Sequence, residues 1–124
     1  MIKGIGTDIV DIDRIATNIE KHGEKFAERI LSKKELEFYN KTNMKAQFIA
    51  SRFAAKEAVA KALGTGFREG LFMHDITVLN DTLGKPYLEF AGKAKEMVEE
   101  RSVSESHLSI AHERHTTVAF VILT

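Results

Sequence analysis

The sequence predicts an α+β domain in which a mostly antiparallel sheet packs against helices. Strand-like stretches at both ends bracket a long run of helix-forming residues, and further strands follow it in closely spaced pairs. That order (a strand, several helices, two strands, a helix, two strands) is the pattern of an α+β fold. The 124 residues, 44% hydrophobic and 29% charged, suit one domain, 1–124, that buries roughly two-thirds of its unfolded surface.

The first strand is "IKGIGTDIV", residues 2–10, where alternation places Gly4, Gly6 and Asp8 on one face and Ile5, Thr7 and Ile9 on the other. "DIDRIATNIEKHG" (11–23) follows as a helix that Asp11 or Asp13 can cap and Gly23 ends. "EKFAERIL" (24–31) is a short second helix, and "SKKE" (32–35) is a capping box opening a third over 33–41. After a linker at Thr42–Asn43, a long helix runs to Leu63, where Gly64 takes the left-handed position that stops it. A glycine-rich loop covers 64–72 and a strand 74–81. Gly84 supplies a turn into a strand that the only proline, Pro86, can begin. "AGKAKEMVEER" (91–101) is an amphipathic helix, and 107–113 pairs with 116–124 as a terminal hairpin. Val118, Phe120 and Ile122 on one face of the last strand, and Ala119, Val121 and Leu123 on the other, are all apolar, so both faces want cover. A central position in the sheet or a second subunit would each supply it.

The composition excludes several classes. No apolar run is long enough to span a membrane, and the start "MIKGIGTD" lacks the apolar core of a secretory signal. There is no cysteine, hence no disulfide and no thiolate metal site. These features predict a cytoplasmic protein. A formal net charge of zero gives no basic footprint for nucleic acid. Charge is nevertheless uneven: over residues 14–34, Arg14, Lys21, Lys25, Arg29, Lys33 and Lys34 face three glutamates, a local excess of +3 that suits an acidic partner.

Two stretches carry candidate chemistry. In "RFAAKEAVAKALGTG" (52–66), Glu57 and Lys61 share a helix face with Phe53, Ala54 and Ala58, and the alanines leave room for a ligand. The simplest reading of that pair is a solvated i,i+4 ion bridge. Asp8 interrupts an apolar strand, and a carboxylate there must be paired, hydrated or metal-bound. Its glycine neighbours admit either a ligand or another backbone at close range. Asp8 and Glu57 together would suit Mg²⁺, with Lys61 neutralising charge on a transferring phosphoryl group. His107, His112 and His115 lack the spacing of a zinc helix, and "GTG" follows a helix instead of opening one, so it is no P-loop.

"GIGTDIVDIDRI" followed by "RFAAKEAVAKALGTG" closely resembles the holo-[acyl-carrier-protein] synthase family, the small bacterial class of 4′-phosphopantetheinyl transferases. "LGKPYL" and "HLSIAHERHTTVAFVI" resemble that family's later segments in the same order, so the resemblance spans essentially the whole chain. Ala111 departs from it, standing where the family often has Ser or Thr. The resemblance implies a 4′-phosphopantetheinyl transferase-like fold. It also implies transfer of phosphopantetheine from coenzyme A to a serine of apo acyl carrier protein, with adenosine 3′,5′-bisphosphate as the other product, in support of fatty acid biosynthesis. It assigns Mg²⁺ to Asp8 and Glu57 and a phosphate to Lys61. Gly64, Thr65 and Gly66 would let backbone approach the cofactor. Arg52, Lys85, Pro86 and His112 would lie along the rest of coenzyme A. The serine proton would go to Glu57 or to a metal-bound water. Arg14, Lys21, Lys25 and Arg29 would meet the acidic carrier protein, and a homotrimer would place active sites between neighbouring chains.

Overall fold

The computed structural model describes residues 1–124. Strand β1 (Gly4–Asp11) lies directly on helix α4 (Lys45–Leu63). A Cβ at Gly6 would stand 1.9 Å from the carbonyl oxygen of Ala58, and one at Gly4 would stand 2.1 Å from that of Ala62. No side chain fits in either gap, so strand backbone meets helix backbone. The two glycines therefore serve the helix and not a ligand. Alternation then turns Ile5, Thr7 and Ile9 outward and leaves Asp8 on the helix side.

Helix α1 (Ile12–His22) starts where the Asp11 carboxylate accepts from the Asp13 amide, and Gly23 at φ 57° ends it. Helix α2 (Glu24–Ile30) follows, then α3 (Lys33–Tyr39) with its Ser32–Glu35 capping box formed. That helix stops at Tyr39, two residues short of the sequence expectation, and the Tyr39 carbonyl is taken by the Lys45 ammonium at 2.7 Å. Helix α4 is buried on nearly every side and is the element around which the others pack. Gly64, at φ 84°, closes it by donating to the carbonyls of Ala60 and Lys61.

The expected strand over 74–81 is shorter. Met73–Asp75 form a single 3₁₀ turn, and β2 is Ile76–Asn80. The reason is local: the Met73 carbonyl accepts from the Ile76 amide and from the buried Lys56 ammonium, which turns the chain before it can extend. β3 (Pro86–Phe90), α5 (Gly92–Glu100), β4 (Ser106–His112) and β5 (Thr116–Leu123) complete the chain. The strands form two antiparallel sheets instead of one: β1-β5-β4 and the hairpin β2-β3. Lys61 also departs from expectation, because it bonds to β1 and makes no ion pair with Glu57.

β5 is the central strand of the larger sheet. Its inner residues Ala119, Val121 and Leu123 are buried, whereas Val118 and Phe120 are exposed, as are Ile5 and Ile9 on β1. A central position thus satisfies its backbone, and the sheet's outer apolar face lies open within one chain. No helix is long and apolar enough to cross a membrane.

Candidate active site

Asp8, Glu57 and Lys61 come together at the edge where β1 crosses α4. The Lys61 ammonium donates to Asp8 Oδ1 at 3.0 Å and to the Thr7 carbonyl at 2.9 Å. The Asp8 side chain keeps 17% of its exposure and that of Lys61 keeps 52%, so the pair stands at the surface with one carboxylate oxygen of Asp8 still free of protein partners. The Glu57 carboxylate makes no hydrogen bond or ion pair within the chain. Burial pushes its pKa up; the Asp8 charge adds to that rise, and Lys61 opposes it. A half-buried carboxylate next to another, with no internal partner, is poised for a cation.

Next to this cluster lies a groove of about 280 Å³ lined by Ile9, Arg14, Ile15, Phe26 and Phe53. It places Arg14 beside the strand that carries Asp8 and the helix turn that precedes Glu57. Lys21 on α1, and Lys25 and Arg29 on α2, are exposed but do not line it.

The other predicted cofactor residues gather elsewhere. Arg52 lies five residues before Glu57 on α4, about 140° around the helix. Its guanidinium stacks on Phe48 at 3.9 Å and donates to Ser51 and to Asn80 Oδ1, while Nε is buried without a partner. A cleft of about 250 Å³ joins Arg52 to Pro86, His112, Gln47 and Asn80. His112 Nε2 lies 3.1 Å from the Gln47 amide. Along the sheet, His112 pairs with Thr117, which pairs with Val10, so it stands two strands away from β1, roughly 10 Å. Lys85 lines a separate cleft with Tyr87, His107 and Phe120, reached past Pro86. Gly64 and Gly66 both fold back on the Ala60 carbonyl, and the Thr65 hydroxyl donates to the Gly66 carbonyl. One chain thus holds two groups, Asp8–Glu57–Lys61 and Arg52–Pro86–His112, on different sides of α4.

Sequence reasoning missed Asn80 and Gln47, which hold Arg52 and His112, and the buried pair Lys56–Glu35. Lys56 was visible in principle: its neighbours on the helix face include Phe53, Val59 and Ala60, and an ammonium among them must find partners.

A family model of the 4′-phosphopantetheinyl transferase superfamily matches residues 4–119, from the glycine strand to β5. The chain belongs to this superfamily. Among superfamily relatives, the holo-[acyl-carrier-protein] synthase of Aliivibrio fischeri is 49% identical over 121 residues, covering 98% of this chain and 96% of its own length. The crystal structure of holo-[acyl-carrier-protein] synthase from Neisseria meningitidis superposes with a TM-score of 0.94 at 41% identity, covering 100% of this chain and 99% of that one. The Helicobacter pylori enzyme in complex with coenzyme A gives 0.84 at 32% identity, with 97% of this chain and 99% of that one covered.

Proposed function

We propose that this chain transfers the 4′-phosphopantetheine group of coenzyme A to a serine of apo acyl carrier protein, releasing adenosine 3′,5′-bisphosphate. The observation that carries the reading is the meeting of Asp8, Glu57 and Lys61 at the β1–α4 edge in a chain of this superfamily. A coenzyme A complex of a related synthase supports the same donor.

The residues fit Mg²⁺. They offer two carboxylates, Asp8 and Glu57, near each other at the β1–α4 edge. Mg²⁺ is held in this way by one or two protein carboxylates, with waters and substrate phosphates completing its shell. When bound by Asp8 and Glu57, the ion would neutralise charge on the pyrophosphate of coenzyme A. Lys61, fixed by Asp8 and the Thr7 carbonyl, would place its ammonium beside the departing phosphate and stabilise the charge developing there. The serine proton would pass to Glu57 or to water held at the site. Phosphopantetheine then passes to the serine oxygen, and the bond to the bisphosphate breaks.

We further propose a homotrimer. The open sheet face bearing Ile5, Ile9, Val118 and Phe120 is the natural seat for neighbouring chains. A site between chains would also bring Arg52, Pro86 and His112 of one protomer toward the metal cluster of the next. The groove at Arg14 is the proposed carrier-docking face, and Lys21, Lys25 and Arg29, exposed on α1 and α2 outside the groove, would add positive charge to the approach of an acidic carrier. We also propose the cytoplasm as its location. Incubating apo carrier protein with this protein, coenzyme A and Mg²⁺ should add one phosphopantetheine mass to the carrier; an unchanged mass would overturn the reading. Light scattering in solution should return three chain masses.

A further inference from the structure

Lys56 is the one lysine with no exposed side-chain surface, and all three of its ammonium protons are used. They go to Glu35 Oε1 at 2.6 Å, the Ile30 carbonyl at 2.7 Å and the Met73 carbonyl at 2.9 Å. Glu35 is just as fully engaged: Oε1 also accepts from the Ser32 amide, and Oε2 accepts from the Val78 amide. The acceptors belong to three different segments. Ile30 ends α2, directly after Arg29; Met73 opens the 3₁₀ turn that follows the loop 64–72; Glu35 lies in the first turn of α3. The residue after Lys56 is Glu57.

We propose that Lys56 is a positioning residue for the transfer reaction. From one point on α4 it fixes the end of α2, whose Phe26 lines the proposed carrier-docking groove, and the far end of the glycine-rich loop relative to Glu57. The inference rests on the transferase reading above. An apolar side chain of equal volume could fill the space, but only a three-armed donor sets where two carbonyls from separate segments sit. The near end of the loop does not depend on it, because Gly64 and Gly66 are anchored to the Ala60 carbonyl. Disturbing Lys56 should therefore affect the carrier protein and turnover more than coenzyme A.

The test compares Lys56→Met with Lys56→Arg, the latter keeping the charge that Glu35 requires while changing the donor geometry. Kinetics are corrected for folded fraction, and coenzyme A affinity is measured by calorimetry. The expected result is a rise in carrier KM of about fivefold or more together with a lower kcat, and coenzyme A affinity within about twofold of wild type. Lys56→Arg should fall between wild type and Lys56→Met. Carrier KM and kcat within twofold of wild type in both variants, whatever their melting temperatures, would overturn the proposal; so would failure of both to fold, which makes the lysine purely structural. Absence of transfer by wild type itself would instead overturn the transferase reading, and this inference with it.

Discussion

Lys56 and Lys61 leave the same helix five residues apart, and each meets a carboxylate from another element, yet the two pairs have opposite characters. At Lys56–Glu35 every donor and acceptor is satisfied inside the protein, and neither side chain touches water. Burial lowers the Lys56 pKa, and Glu35 opposes that shift without cancelling it. At Lys61–Asp8 the pair is open to solvent, and beside it Glu57 has no partner at all. The closed network holds segments together and has no capacity left for a ligand. The open cluster has spare lone pairs, and its incompleteness would let it receive the proposed metal and phosphate.

Mutation should separate the two. The largest effect is expected at the closed pair. Lys56→Met strands a buried carboxylate and should cost about 3–5 kcal/mol of stability, read by denaturant unfolding; a loss under ~1 kcal/mol would show that Glu35 finds another partner. Next come Asp8→Asn and Glu57→Gln. Each should lower transfer about a hundredfold or more, with partial recovery at high Mg²⁺ and no loss of melting temperature. Normal rates for both at low Mg²⁺ would remove the two-carboxylate metal site. Lys61→Ala should lower the rate at least about tenfold, ~1.4 kcal/mol of barrier, while stability stays within roughly 0.5 kcal/mol. If stability collapsed instead and turnover per folded molecule held, the two lysines would be alike after all.

The smallest effect concerns pH. Glu57 binds its proton more tightly in the folded chain than in the unfolded one. Its ionisation therefore costs stability above its folded pKa, and that cost fades as pH falls toward the unfolded value. Without Mg²⁺, Glu57→Gln should raise the melting temperature slightly at neutral pH, and the gain should vanish in acid. A gain that grew on acidification would reverse the assigned cause.

Local signals made much of this legible in advance. Alternation placed Gly4, Gly6 and Asp8 on one face, the capping box formed at Ser32–Glu35, and Gly64 ended α4 as its conformation requires. Each depends on a few neighbouring residues. What stayed hidden depended on distant partners. Glu35 and Lys56 lie 21 residues apart on different helices, and Lys61 chooses Asp8, 53 residues away, over Glu57 one turn back. The division into two sheets is likewise a matter of which strands meet, and strand patterns alone do not settle that. The resemblance proposed the site residues, but only the fold shows that they divide between two sides of α4.

The glycine contact between β1 and α4 also has a consequence for how the sequence can drift. The spacing between the residue at position 8 and those at 57 and 61 is set by main-chain atoms, which every amino acid shares. Around it, side chains can be exchanged through many generations without moving that gauge. The constraint is concentrated in the two positions where the sole requirement is that nothing be attached.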